Sequence, residues 1–200
     1  MTITRSQLSG FADPVFDSQS TFRAIMDAMA RPGSIKDITL DFTPPVGINM
    51  AAAATVQALC DFETALWVCP QMADAVAIAD YCAFQTGATR GKSASTAQFA
   101  LIDLATSQLR LQDFVQGEPD YPDRSTTIIA MVSSLTLGPT RTLSGPGIQS
   151  TATLSIADLP DDFAGQWAVN QASFPLGVDV IFCCGSSLLA LPRSTSLSEG

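Results

Sequence analysis

Histidine is missing from all 200 residues. Without an imidazole the chain cannot build a Ser-His-Asp triad, a Cys-His pair or a His-ligated metal site. Lysine is almost as scarce, with Lys36 and Lys92 its only copies. Charged residues make up 14% of the chain, against about 25% in an ordinary domain. No apolar run approaches the roughly 20 residues that a bilayer-spanning helix needs, and the richest stretch, residues 72–84, is interrupted by Asp74 and Asp80. Residues 1–10 contain no apolar h-region, which argues against a secretory signal and for a cytoplasmic location. The five cysteines (Cys60, Cys69, Cys82, Cys183 and Cys184) are odd in number and form no C-x-x-C pair. Neither a disulfide framework nor a zinc site is indicated, and buried reduced thiols are expected.

What is present is acid and apolar surface. The net charge is −9 and the pI about 4.2. A field of that sign opposes nucleic acid and anionic membrane. Apolar residues reach 46% and the mean hydropathy is +0.25 without a membrane span. That balance predicts surface covered by other subunits. The length fits one domain, with no internal repeat or linker.

Periodicity gives a mixed set of elements. Asp17-Ser18 reads as the cap of a helix to about Ala30, with Phe22, Ile25, Met26 and Met29 as its inward stripe. Gly33 to Phe42 reads as a strand. Asn49 to Cys60 and Asp74 to Gln85 read as helices, the second with Val76, Ile78, Ala79 and Cys82 inward and Gly87 as its left-handed terminator. Thr64 to Val68, Phe99 to Leu104 and Thr126 to Val132 suit strands, the last a central one. Leu109 to Val115 fits helix or strand equally. Arg141 to Leu143 and Thr151 to Ile156 are strand-like. Asp158 reads as the cap of a helix starting at Pro160, and Val178 to Cys183 with Leu188 to Leu191 as a hairpin. Helices alternating with strands, plus a hairpin, predict an α/β fold with a mixed sheet between helices.

Few motifs carry chemistry. Gly87-Ala88-Thr89-Arg90-Gly91-Lys92-Ser93 has one residue too few between its glycines for a P-loop, and it follows a helix instead of a strand. Neither lysine sits beside a phosphate cradle, so pyridoxal phosphate (PLP) is not expected. Ser144-Gly145-Pro146-Gly147 can present backbone N–H groups to an anion, although without a following helix a tight β connection is the better account of its glycines. Arg193, beside Ser194-Thr195, can grip a phosphonate or phosphate, or pair with a nearby acid. Asp61/Glu63 and Asp158/Asp161/Asp162 are carboxylate clusters, the second accounted for by helix capping. No catalytic or metal-binding set emerges.

Several separate stretches then resemble one family. They are Gly10-Phe11-Ala12-Asp13-Pro14-Val15, Ser18-Gln19, Phe22-Arg23, Ala28-Met29-Ala30 and Pro32-Gly33, then Leu59-Cys60-Asp61, Glu63-Thr64 and Phe84-Gln85-Thr86-Gly87. Later come Leu143 through Ile148, Asn170, Phe174 through Ile181, and Leu191-Pro192-Arg193-Ser194-Thr195. In order and spacing these resemble the PhnH family, the H subunit of the bacterial carbon–phosphorus lyase system, from about residue 10 to 196. The resemblance implies a three-layer α/β/α fold like the large domain of PLP-dependent transferases, without PLP. It implies a homodimer that joins the G, I and J subunits, with ATP or phosphonate handled in that complex. The H subunit is then an accessory to the synthesis of ribose 1-methylphosphonate 5-triphosphate and not catalytic alone. Ser144, Gly145, Gly147, Arg193, Gln85 and Thr86 are the candidate ligand contacts. Many relatives carry histidine where Gln85 stands, and glutamine cannot transfer a proton at neutral pH. The competing readings are a stand-alone protein binding a phosphorylated small molecule through the 144–147 loop and Arg193, and a pure dimeric scaffold.

Overall fold

The computed structural model describes residues 9–199; the reading of the first eight residues lies outside that range. In chain order the elements are α1 (Pro14–Ala30), β1 (Lys36–Asp37), α2 (Met50–Leu59), β2 (Ala65–Val68), α3 (Ala75–Thr86), β3 (Thr89–Arg90), β4 (Phe99–Asp103), β5 (Thr127–Met131), β6 (Arg141–Ser144), β7 (Ala152–Leu154), α4 (Phe163–Ala172), β8 (Asp179–Cys184), β9 (Ser187–Leu191) and β10 (Ser196–Glu199).

A seven-stranded sheet runs β1-β9-β8-β5-β4-β2-β3. Its five inner and outer strands from β8 to β3 are mutually parallel, while β9 is antiparallel to both β8 and β1. The sheet is therefore mixed, as expected. β5 is central and reads Thr-Ile-Ile-Ala-Met, an apolar run that suits a strand covered on both faces. A second sheet, β10-β6-β7, is antiparallel.

Adjacent residues of β8 show the layering. Phe182 meets Phe163 of α4 edge-on, 6.2 Å between centroids. The thiol of Cys183 meets Thr55 of α2, and its carbonyl accepts from the Asn49 side chain at 3.0 Å. Successive strand residues point to opposite faces, so α2 and α4 lie on opposite sides of the sheet. α2 packs under α1 and α3. It is apolar all round, and Ala51–Val56 are buried without exception, as such a helix must be.

Five local readings need correction. The cap of α1 is Asp13, whose carboxylate accepts from the N–H groups of Val15 and Phe16. Pro14, with φ preset and no N–H to satisfy, starts the helix one turn before Asp17. The buried face of α1 is Thr21, Ile25 and Ala28, while Phe22 and Met26 are exposed. The strand read into Gly33 to Phe42 shrinks to Lys36–Asp37, which pair with Leu188 and Ser187 of β9, and one further bond, from Ile38 N–H to Ser186 O at 2.7 Å, follows before the chain leaves the sheet. Ile38 and Phe42 are buried all the same. On α3, Val76 is exposed while Tyr81 is buried. Asp158 caps no helix. It has φ +63, and its carboxylate accepts from Ser133 N–H at 2.6 Å; α4 starts later, after Asp162. The ambiguous Leu109 to Val115 stretch holds a single 3-10 turn at Leu111–Asp113.

Candidate functional site

The six candidate residues fall in two neighbourhoods. Gln85 and Thr86 end α3. The Thr86 hydroxyl donates to Cys82 O at 2.8 Å and accepts from Ala88 N–H at 3.0 Å, so it closes the helix ahead of Gly87, which takes φ +75. The Gln85 side chain lies against Gly10, where a Cβ would collide with its Oε1 and stand 2.7 Å from Gln57 Oε1. Gln57 also accepts from Phe11 N–H at 3.1 Å, and the Tyr81 hydroxyl donates to Ser9 O at 3.0 Å. Burial raises the Tyr81 phenol above its ordinary range.

The other four residues are in the second neighbourhood. The loop after β6 turns through Gly145, whose carbonyl accepts from Ile148 N–H at 3.2 Å. Gly145 packs on the Ser194–Thr195 backbone, and Gly147, at φ +81, is pressed against the carbonyl of Ala30. No side chain fits at that point, so the loop ties the small sheet to the end of α1. Arg193 is gripped by Asp179. Its Nε donates to both carboxylate oxygens at 3.1 Å, its Nη2 donates to Oδ2, and its backbone N–H donates to Oδ1 at 2.7 Å. Nη1 donates to Pro122 O at 3.0 Å and Pro175 O at 3.4 Å. The two side chains are only 13% and 15% exposed. A shallow groove of about 250 Å³, lined by Pro122, Phe174, Pro175 and Pro192, opens beside them.

Sequence reasoning missed a larger crevice of about 460 Å³. By chain order the parallel strands run second-first-third-fourth-fifth across the sheet. The chain therefore reverses its direction of winding between β2 and β4, and ligands of such sheets bind past the carboxyl ends of strands beside that point. The crevice opens past the end of β4. One wall is Leu104 and Ser107–Arg110, the other Asp158 and Pro160–Asp162 with Gln166. Gln166 crosses between the walls: it donates to Leu109 O at 3.1 Å and Asp162 Oδ1 at 2.9 Å, and accepts from Leu111 N–H at 2.9 Å. Among the described residues no His, Cys, Asp and Glu group gathers in a way that could hold a metal ion. The crevice offers carboxylates, a hydroxyl and one guanidinium, which can hydrogen-bond a ligand but include no imidazole or lysine amine. Only the strand order marks it, and that order is not readable from local pattern.

Three of the five thiols, Cys60, Cys82 and Cys183, are buried where a thiolate is disfavoured. Burial pushes Cys82 and Cys183 from an ordinary 9.0 up to about 12; Cys60 is raised as well, by burial, then by Cys82 and Asp61. A thiol that keeps its proton more tightly folded than unfolded supports the fold below its unfolded pKa. That support is lost as pH climbs toward the folded value. Each such thiol should therefore reduce unfolding free energy by roughly 1.4 kcal/mol per pH unit above about pH 9. Urea midpoints measured up the alkaline range would show this, and a flat profile would contradict it. In the native protein Ellman's reagent should label Cys184, half-buried at the end of β8, ahead of the four buried thiols.

The family of bacterial phosphonate metabolism proteins called PhnH matches residues 9–198 of this chain. The chain belongs to the PhnH family. It is 37% identical, over all of both chains, to the alpha-D-ribose 1-methylphosphonate 5-triphosphate synthase subunit PhnH of Rhizobium meliloti (strain 1021). It is 28% identical to the putative C-P lyase subunit protein HtxG of Stutzerimonas stutzeri, over 90% of this chain and 85% of that protein. The matched span of the family takes in both neighbourhoods and the crevice.

Proposed function

We propose that this chain is the H subunit of a complex that makes ribose 1-methylphosphonate 5-triphosphate from ATP and phosphonate, and that it takes part without being catalytic alone. One observation carries the reading: end-to-end likeness to a relative named as that synthase's subunit. The chemistry of the chain agrees with it. The crevice supplies carboxylates and other hydrogen-bonding groups but no imidazole or lysine amine, and the buried thiols Cys82 and Cys183 hold their protons.

The finer parts of the reading are a homodimer, docking to G, I and J subunits, and a PLP-transferase-like fold working without PLP. A mixed seven-stranded sheet covered on both faces supports the fold comparison. Lys36 is engaged by Asp27 at the sheet edge and Lys92 lies on the exposed loop after β3; neither lines the crevice. Ser144 and Gln85 keep hydrogen-bonding groups for a ligand or neighbour, and the Asp179 pairing of Arg193 counts against a stand-alone phosphate receptor.

The test is reconstitution. Purified G, I and J subunits with ATP and methylphosphonate should give the ribosyl phosphonate, followed by phosphorus NMR, when this chain is present. Little or none should form when it is left out. Equal yield without it overturns the proposal.

A further inference from the structure

Three strand ends meet at the crevice past β4. Cys69, the first residue after β2, donates its thiol to Ser107 Oγ at 3.4 Å, and Ser107 belongs to the segment leaving β4. Ser133, just past β5, holds Asp158 through its N–H. The loops on both sides of the reversal in winding therefore come together at one place, where sheets of this kind hold their ligands. The crevice measures about 460 Å³, within the range of about 300–1,000 Å³ usual for a small-molecule site.

Its two walls are opposite in character. The wall after β4 brings donors: the Ser107 hydroxyl, the Gln108 amide and the Arg110 guanidinium. The other brings the carboxylates of Asp158, Asp161 and Asp162. Ser133 takes one oxygen of Asp158 and Gln166 one of Asp162, which leaves the other oxygen of each. The chain's ion pairs lie elsewhere. Among the described residues Arg31, Lys36, Arg90 and Arg193 pair with Asp27, Asp80 and Asp179, and neither Arg110 nor any of the three crevice carboxylates is in a pair. Leu104, Leu109 and Pro160 add apolar surface.

We infer that the crevice binds a small zwitterion, a short alkyl chain with an ammonium at one end and a phosphonate or carboxylate at the other. Arg110 offers the acid a planar fork of donors. The carboxylates receive the ammonium, whose three N–H groups suit several acceptors at once. The apolar residues cover the alkyl spacer. A ligand of one sign fits badly: a polyphosphate meets three carboxylates and a diamine meets Arg110, like charges in each case. The inference goes beyond the accessory role proposed above and does not depend on it.

Isothermal titration calorimetry on the full chain, with 2-aminoethylphosphonate and β-alanine as probes, tests the inference. Ethylphosphonate and ethylamine each keep one charged end and should bind at least about tenfold more weakly than the zwitterion, having lost one charge-assisted contact. Arg110→Gln and Asp161→Asn replace exposed side chains and should remain folded by circular dichroism. Each should weaken the zwitterion by about 10- to 100-fold. Lys92→Gln, on the exposed loop after β3, should bind like wild type. Tighter binding of 2-aminoethylphosphonate assigns the site to aminophosphonates, and tighter binding of β-alanine assigns it to amino acids; either result supports the inference. It is overturned if neither zwitterion binds at millimolar concentration, by calorimetry or by saturation-transfer NMR. It is also overturned if ethylphosphonate or ethylamine binds as tightly, or if either crevice variant binds unchanged. Reconstitution reads product and titration reads binding, so the accessory role and this site fail separately.

Discussion

Asp179→Ala should cost this protein about 3–5 kcal/mol, the usual penalty for leaving one member of a buried ion pair alone. The carboxylate answers three separate groups of Arg193, namely Nε, Nη2 and the backbone N–H. It thereby orients the remaining nitrogen, Nη1, onto the carbonyls of Pro122 and Pro175. Its removal strands a guanidinium that is only 13% exposed, and loosens three chain segments that meet there. Arg193→Ala should be severe for the converse reason, and the double variant should cost less than the two singles combined, because neither charge is left unpaired. Urea unfolding of the four proteins measures the cycle. A penalty under about 1 kcal/mol for Asp179→Ala would place the pair among ordinary surface bridges and free Arg193 for a ligand. Activity lost on Arg193→Ala at unchanged stability would point the same way.

Trp167→Ala should be comparable, about 3–5 kcal/mol for emptying a buried indole site. Trp167 is wholly buried. It stacks on Phe163 at 5.9 Å and 25°, and its indole N–H donates to Thr195 O at 2.8 Å. The residue thus joins α4 both to the large sheet, through Phe163 and Phe182, and to the chain segment entering β10. Trp167→Phe separates the two contributions. It keeps most of the apolar contact but leaves the Thr195 carbonyl without its donor, for about 1–3 kcal/mol. Denaturation midpoints of the two variants give the comparison. Equal losses would mean that the hydrogen bond carries the effect, and no loss for either would mean that the site collapses to fill the space.

Much of the sheet was legible because its strands are apolar enough to announce themselves. The runs at β2, β4 and β5, and the β8–β9 hairpin around Gly185-Ser186, lie within a residue or two of where pattern placed them. The Ala-rich α2 and the Gly87 stop of α3 were equally plain. What pattern could not supply was context. On α1 the apolar residues run around more than one face, so the inward stripe was assigned to Phe22 and Met26. Small Thr21 and Ala28 lie inward instead, where α1 comes close to its neighbours. β10 reads Ser-Leu-Ser-Glu and is a strand only because β6, more than fifty residues earlier, pairs with it. Asp158 looked like a cap because Pro160 follows, but its partner Ser133 belongs to the segment after β5. Of the candidate residues named from the sequence, Arg193 and the 144–147 loop lie near one another, Gly145 packing on the Ser194 backbone. Gln85 and Thr86 sit apart from them, and the crevice exists only once the strand order is known.

The buried helix α2 has a further consequence. Helix axes approach to about 8–10 Å according to the side chains between them, and Ala51–Ala54 leave almost no thickness. Because successive residues turn about 100° around the axis, these four methyl groups between them set how near α2 lies to the sheet and to the flanking helices α1 and α3. A longer side chain at any of them would push α2 off one of those neighbours, so the shape of the molecule's outer wall is decided by residues that never reach it.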